Sequence, residues 1–127
     1  MVAFTGLGIR IFAAPEEFGA AADFYEKALG LTCAARNEAA GVAIFELDCG
    51  PTLVLEQFES DEEDEEEPLD GRFTGITLAV NDVQAAYERL RERGVEFLGL
   101  PETMPWGGIM AHFCDPGGNI LSLLQDR

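Results

Sequence analysis

The chemistry open to this chain rests on three ionisable side chains in segments of alternating apolar residues. They are Arg10 in GLGIRI, Glu56 in TLVLEQ and His112 in IMAHFC. His112, the only histidine, could act as a general base or as a polar anchor, because imidazole titrates near neutral pH. Glu56 could act as a base or hold a cation, and Arg10 could hold a carboxylate or a phosphate. His112 and Glu56 are therefore the candidate catalytic residues.

Each of these side chains also has a structural interpretation. His112 shares one face of its segment with Met110 and Cys114, which is typical of a hydrogen-bonded histidine packed in or near a sheet. The sequence shows no nucleophile or acid partner for it. Arg10 and Glu56 are expected on adjacent strands, where an ion pair would satisfy two half-buried charges. Both interpretations stay open at this point.

Trp106, the only tryptophan, lies in the turn sequence PWGG. It could pack within the turn or stack on a ligand, because tryptophan serves both packing and interface roles. Met104 and Met110 would add adaptable apolar surface to a binding site.

The elements that must position these residues are written twice. FTGLGIRI at 4–11 and FTGITLAV at 73–80 begin with the same three residues, and their alternating apolar residues predict a strand. A helix is predicted after each strand. Gly30 ends the first helix and Gly94 ends the second, as glycine often does at helix C-termini.

Three short segments rich in β-forming residues follow each helix. They are predicted at 32–37, 41–48 and 52–58 in the first half, and at 95–100, 108–114 and 119–125 in the second. The order βαβββ therefore occurs twice. One such unit cannot cover its apolar sheet face alone, so we expect two units, 1–58 and 71–127, that share one domain and are joined by an acidic linker at 59–70.

An acidic block, DEEDEEE at 61–67, stands out in a chain of 127 residues with a net charge of −16 at pH 7. We expect a solvated, disordered loop, and the alternative is a tether or lid for a cationic ligand. The negative charge repels nucleic acid and anionic membranes, so we expect neither as a partner. The N-terminus lacks signal-peptide features, no apolar run is long enough to span a membrane, and three scattered cysteines favour reduced thiols. We therefore expect a cytoplasmic protein.

The doubled βαβββ order and three sequence stretches together resemble the vicinal oxygen chelate superfamily, which includes glyoxalase I, the bleomycin-resistance proteins and the extradiol dioxygenases. The stretches are ADFYEKALGL at 22–31, NDVQAAYERLRERGVEF at 81–97, and PWGG with FCDPGGNILSLLQ at 105–125. The resemblance covers almost the whole chain apart from the acidic insertion. It implies an α+β fold in which tandem βαβββ units form a curved mixed sheet around a concave cavity, with the helices outside. It also implies a homodimer.

Metal-dependent members of this family place a His or Glu on the first and last strands of each unit. The resemblance puts Gly6, Val54, Gly75 and Ser122 at these positions, and none of them is a normal metal ligand. We therefore expect no metal and no cofactor. Glycines on the cavity face would either thin the cavity floor or leave room for a bulky apolar ligand.

The alternation of the strands and the resemblance together predict a binding surface. Its residues are Arg10, Glu56, Phe58, Thr77, Trp106, Met110, His112 and Ser122. We expect a metal-independent protein that binds a small, partly apolar molecule, compatible with a positive charge, in the cavity of the sheet. The alternative is an enzyme of the same superfamily, a lyase, isomerase or dioxygenase, with a relocated metal or metal-free acid/base chemistry. A third hypothesis is a partner-binding subunit with a filled cavity.

Overall fold

Two units with the same order of strands and helix follow one another along the chain. The structure, a computed structural model, describes residues 2–58 and 71–126. The first unit contains β1 (Gly8–Ala13), α1 (Pro15–Asp23), a π-helical turn (Phe24–Ala28), β2 (Thr32–Asn37), β3 (Val42–Glu46) and β4 (Thr52–Gln57). The second contains β5 (Phe73–Ala79), α2 (Val83–Glu92), β6 (Glu96–Phe97), β7 (Glu102–Thr103), β8 (Ile109–Cys114) and β9 (Ile120–Gln125). The predicted βαβββ order is confirmed, with the short β7 added. The acidic segment 59–70 lies outside the described residues, so its order and its role as a linker between the two units stay predictions.

Each unit forms its own mixed sheet. The strand order is β1-β4-β3-β2 in the first sheet and β5-β9-β8-β6 in the second, where β7 also pairs with β8. The pairs β1–β4 and β5–β9 are parallel, and the other neighbouring strands are antiparallel. The fold is therefore α+β, as expected, with β1 and β5 as the edge strands at which the two sheets approach each other.

Local sequence signals explain the two helices. Pro15 stands in the first turn of α1, where its missing N–H costs no hydrogen bond. Asp82 caps α2, because its side chain accepts a hydrogen bond of 3.1 Å from the backbone N–H of Ala85. Gly30 and Gly94 follow the two helical segments with φ angles of 73° and 88°, a conformation that favours glycine.

The two units share one hydrophobic core. Helix α1 packs on β1 and β4 of its own sheet, and α2 packs on β8 and β9. The π-helical turn also reaches the second unit, since the ring of Phe24 lies 6.2 Å from the ring of Phe113 on β8. Tyr25, the next residue, is fully buried, and so is Phe45 on β3. Burial of large aromatic side chains from both units in one cluster couples the stability of each unit to the other.

The first strand begins later than its alternating pattern predicted, at Gly8 and not at Phe4. We call residues 2–7 the N-terminal arm. The exposed fractions of Val2, Phe4 and Leu7 in this arm are 77%, 92% and 65%. The expectation failed because a strand needs a neighbour for its backbone hydrogen bonds. In the described chain, the arm makes one such bond, from Thr52 N–H to the carbonyl of Leu7 at 3.1 Å.

A β-bulge interrupts β5 at Gly75. The register between β5 and β9 shifts between Phe73 and Thr77, and Gly75 has a φ of 75°, which side chains other than glycine rarely adopt. The Thr74 hydroxyl supports the bulge by donating to the carbonyl of Ile120 at 2.7 Å and accepting from the N–H of Ile76 at 3.1 Å. The backbone conformation of the bulge therefore explains why glycine occupies position 75.

Candidate functional site

Arg10 and Glu56 form an ion pair on the solvent side of the first sheet. Arg10 Nε donates a hydrogen bond of 2.6 Å to Glu56 Oε2, and the two side chains are 65% and 29% exposed. This bond and the charge of Glu56 raise the pKa of Arg10. The guanidinium also lies 5.3 Å from the centre of the Phe12 ring. The structure therefore contains the ion pair that was one of the two interpretations of Arg10 and Glu56, the other being two separate ligand anchors.

His112 has a polar partner that the sequence did not reveal. It lies on β8 directly opposite Ser122 on β9, and Thr77 on β5 lies opposite Ser122 in turn. His112 Nδ1 and Ser122 Oγ are 2.6 Å apart. The Phe73 ring packs edge-on to the imidazole, with 6.0 Å between the ring centres. This side of the second sheet therefore presents an imidazole beside an aromatic ring.

Phe73 connects the two polar pairs. Its side chain is 66% exposed and lines, together with Arg10 and Phe12, a cavity of about 200 Å³ between β1 and β5. We call the surface formed by Arg10, Phe12, Glu56, Phe73 and His112 the Phe73 cleft. Within residues 2–58 and 71–126, no hydrogen bond or ring contact joins the Arg10–Glu56 pair directly to His112.

Sequence reasoning missed Phe12 and Phe73 as members of this surface. Phe73 is the first residue of the second FTG stretch, and it alternates along β5 with Thr77 on the exposed side. That alternation was the signal in the sequence that could have identified Phe73 as a side chain on this exposed face. The contact between Phe73 and His112 could not be read from it, because these residues lie on strands that β9 separates.

Phe58, Met110 and Trp106 are predicted binding residues that lie outside the Phe73 cleft as defined above. Phe58 follows β4, and its ring lies 6.4 Å from the ring of Phe12. Met110 is half-buried on β8. Trp106 is 47% exposed, and its ring covers Gly108 so closely that a Cβ atom there would overlap it. Trp106 therefore packs on its own turn, and its contact with a ligand stays a prediction.

A buried polar cluster positions both walls of the Phe73 cleft. The Tyr25 hydroxyl donates to Asp115 Oδ2 at 2.6 Å. Asn119 Nδ2 donates to Asp115 at 3.0 Å and to the carbonyl of Phe12 at 2.7 Å. Asn119 Oδ1 accepts from the backbone N–H of Arg72 at 3.3 Å. Burial, followed by the charge of Asp115, raises the pKa of Tyr25. The polar residues of the DPGGN loop thus hold the backbone of β1 and the backbone just before β5.

Two larger apolar cavities lie along β5. One, of about 730 Å³, is lined by Ile9, Leu31 and Leu47 of the first unit and by residues 74–79. The other, of about 420 Å³, lies between Leu31 and α2. Both volumes fall in the range of about 300–1,000 Å³ that is usual for small-molecule pockets. Thr77 is the one predicted binding residue that lines either cavity.

The residues at the metal positions of the family do not fit a metal ion. Val54 and Gly75 offer no side-chain donor, and the Ser122 hydroxyl is engaged by His112. In the described part of the chain, no three His, Cys, Asp or Glu side chains are grouped so that they could hold a metal.

The register relates the first strands of the two units. Arg10 pairs with Val54 and Thr77 pairs with Ser122, so Arg10 and Thr77 are counterparts. The bulge at Gly75 interrupts this correspondence before Thr77. Gly6 lies in the N-terminal arm, and its place at a metal position of the family stays a prediction.

All three cysteines are free thiols. Burial, followed by the charges of Glu96 and Asp115, raises the pKa of Cys114, which lowers its reactivity. Among the described residues, no helix has the length and apolar character needed to cross a membrane.

The fold and the cleft define a class of protein: a tandem βαβββ domain with aromatic and polar side chains at the junction of its two sheets. The sequence profile of the Glyoxalase/Bleomycin resistance protein/Dioxygenase superfamily matches residues 10–123. The chain belongs to this superfamily, as the resemblance predicted.

Solved structures agree with this assignment over the whole chain. A superfamily member from Sphaerobacter thermophilus DSM 20745 is 30% identical, has a TM-score of 0.75, and the match covers 99% of each chain. TnmS3, an antibiotic binding protein from Streptomyces sp. CB03234, is 28% identical with a TM-score of 0.76, over 100% of this chain and 99% of that one. The uncharacterized protein YetH of Bacillus subtilis (strain 168) is 40% identical over 50 residues, which span 39% of this chain and 41% of YetH.

Proposed function

We propose that this protein binds a small, partly apolar molecule that carries a positive charge, and that it does so without a metal. The observation that carries the proposal is the Phe73 cleft, in which the exposed Phe73 ring contacts the His112 imidazole and lines a cavity with Arg10, the ion-pair partner of Glu56. Aromatic surface with a few convergent polar groups is typical of small-molecule sites. TnmS3, an antibiotic binding protein, is similar over the full length of the chain, which supports the same class of function.

The charge of the chain supports a cationic ligand. The net charge of −16 raises the local concentration of cations near the surface. Glu56 is a carboxylate beside an aromatic ring of the cleft, because it lies opposite Phe12 in the register of β1 and β4. A cationic group that stacks on Phe73 would gain cation–π attraction as well.

A thermal-shift screen of the full chain against a panel that includes cationic glycopeptide antibiotics tests this proposal. We expect stabilisation by at least one cationic, partly apolar compound, and we expect Glu56→Gln to weaken its binding about tenfold, which corresponds to about 1.4 kcal/mol. Phe73→Ala should weaken the same compound. Glu38→Gln is the matched control, since Glu38 pairs with Arg36 on the first unit, away from the cleft. A panel without any thermal shift, together with stoichiometric metal in the purified protein, would overturn the proposal.

The second candidate function is an enzyme of the superfamily that uses metal-free acid/base chemistry. The observation that favours it is the bond of 2.6 Å between His112 and Ser122, because catalytic imidazoles are usually oriented by a hydrogen bond to one ring nitrogen. If His112→Ala abolished turnover of a substrate and left its affinity unchanged, the result would favour the enzymatic function over the binding function. Elemental analysis of protein purified without chelators distinguishes an enzyme with a relocated metal from the metal-free enzyme and from the metal-free binding protein.

We also propose a homodimer in which the N-terminal arm of one copy docks on the second copy. Two observations support it. The arm exposes Val2, Phe4 and Leu7, and β5 is an edge strand that has β9 as its one strand partner in the described chain. Exposed apolar residues and an unpaired edge favour association. Neither 2–7 nor 73–79 contains a charged residue, so these segments can meet in a strongly acidic protein without direct repulsion of like charges.

A cytoplasmic location stays a prediction. The free thiols at Cys33, Cys49 and Cys114 are compatible with a reducing compartment, and cell fractionation tests it.

A further inference from the structure

The position of the proton on the neutral imidazole in the Phe73 cleft follows from the geometry of His112 and Ser122. Ser122 is 2% exposed, and His112 Nδ1 is 2.6 Å from its Oγ. Within residues 2–58 and 71–126, this contact is the one hydrogen bond of the Ser122 hydroxyl. His112 is half-buried. Its Nε2 has no protein partner in the same residues and is not among the buried unpaired atoms, so solvent reaches it.

The contact can form in two ways when His112 is neutral. Either the Ser122 hydroxyl donates to an unprotonated Nδ1, or a protonated Nδ1 donates to Ser122 Oγ. In the second arrangement, the hydroxyl hydrogen would be left without an acceptor in a buried site, which costs free energy. The first arrangement gives the hydroxyl hydrogen an acceptor. It leaves the single proton of the neutral ring on Nε2.

We propose that Ser122 fixes the proton of neutral His112 on Nε2, so that His112 presents a hydrogen-bond donor to an acceptor oxygen of an apolar ligand beside Phe73. The ligand group is a carbonyl or a similar oxygen on or next to an aromatic or aliphatic ring. The inference rests on the proposed binding function and names the chemistry of one of its contacts. It assigns opposite characters to the two sides of the cleft: Glu56 faces the cationic part of the ligand, and His112 faces an oxygen.

Ser122 is thus a positioning residue, and its role has a direct spectroscopic readout because His112 is the only histidine. The experiment is a long-range proton–nitrogen correlation spectrum of the ¹⁵N-labelled full chain at about pH 8. We expect the wild-type protein to show the Nε2–H tautomer alone. Ser122→Ala should change the Nδ1 resonance toward a mixture of tautomers. Cys114→Ala is the control, because it truncates a side chain on the same face of β8 as His112, and it should leave the wild-type spectrum unchanged.

A second measurement uses two probes of similar shape. Acetophenone carries an acceptor oxygen on an aromatic ring, whereas 1-phenylethylammonium carries donors alone. We expect acetophenone to shift the His112 Nε2 resonance of the wild-type protein and 1-phenylethylammonium at the same concentration to leave it in place. The Cys114→Ala variant should respond as the wild type does.

Three results would overturn the inference. The first is an Nδ1–H tautomer in the wild type. The second is the same tautomer mixture in the wild type and in Ser122→Ala. The third is an Nε2 resonance of the wild type that acetophenone leaves unchanged. Failure of the proposed binding function looks different. In that case the antibiotic panel gives no thermal shift, while the tautomer and the response to acetophenone remain as expected.

Discussion

Tyr25 and Asp115 are 90 residues apart in the chain, and the Tyr25 hydroxyl donates a buried hydrogen bond of 2.6 Å to Asp115 Oδ2. The bond joins the π-helical turn of the first unit to the loop between β8 and β9 of the second. Asp115 also accepts hydrogen bonds from Asn119 Nδ2 and from the backbone N–H of Asn119, at 3.0 Å and 2.8 Å. A buried carboxylate with three donors is well satisfied, so this contact fixes how the two units meet.

Tyr25→Phe tests this contact. The substitution removes the hydroxyl and keeps the ring, so the aromatic packing with Phe24 and Phe45 is retained. We expect a loss of about 1–3 kcal/mol in the free energy of unfolding, the usual cost of an unpaired buried group. Urea denaturation measures it. Tyr87→Phe is the control, because its hydroxyl accepts from Arg91 within one helix, and an equal loss in both variants would contradict the cross-unit role.

The pH dependence of stability follows from the same tyrosine. Burial raises the pKa of Tyr25 above its usual value, so the folded state keeps Tyr25 neutral while the unfolded chain ionises above about pH 10. The stability contributed by Tyr25 is therefore complete below pH 10 and is lost as the pH rises further, by up to about 1.4 kcal/mol per pH unit. Denaturation at about pH 8 to 11 should show the advantage of wild type over Tyr25→Phe shrinking. A constant advantage would contradict the shift.

Asn119→Ala should be more costly than Tyr25→Phe. The substitution removes donors to Asp115 and to the carbonyl of Phe12, and it removes the acceptor of the Arg72 N–H. We expect a loss of about 3 kcal/mol, since several buried polar groups lose partners together. Because Asn119 holds both walls of the Phe73 cleft, ligand affinity should also fall at temperatures where the variant is still folded. Unchanged affinity in the folded variant would contradict its positioning role.

Gly75→Ala measures the strain of the bulge in β5. A Cβ atom at Gly75 meets no atom within 4 Å, so the φ of 75° is the one obstacle to alanine. We expect a loss of about 1–2 kcal/mol, the cost of a left-handed conformation for a residue with a side chain. Gly99→Ala is a matched control, since Gly99 is equally open and has no positive φ. Thermal denaturation of both variants separates strain from crowding, and equal melting temperatures would contradict the prediction.

The sequence predicted the elements better than it predicted their contacts. The strands at 32–37, 52–58 and 119–125 were placed within one or two residues of β2, β4 and β9, because alternation and turn residues act locally. The N-terminal arm was the exception. Its alternation is as regular as that of β5, but pairing depends on a neighbour that local pattern does not specify.

The N-terminal arm gives the last prediction. Phe4→Asp places a charge on a side chain that is 92% exposed, so it should leave the fold of one copy intact and dissociate the proposed dimer. Sedimentation velocity of wild type and variant tests this expectation. Leu100→Asp is the control, because Leu100 is 77% exposed and lies outside the arm. Dissociation by Leu100→Asp alone would place the interface elsewhere, and a monomeric wild type would overturn the homodimer.

The sequence by itself determined the doubled βαβββ order, the ends of the helices and the family. These features depend on residue type and on short-range spacing, which the chain carries at every position. Tertiary structure decided that His112 meets Ser122, that Phe73 packs on His112, and that Tyr25 binds Asp115. Such contacts join residues distant in the chain, and they follow from strand register and from the packing of the two units in a common core.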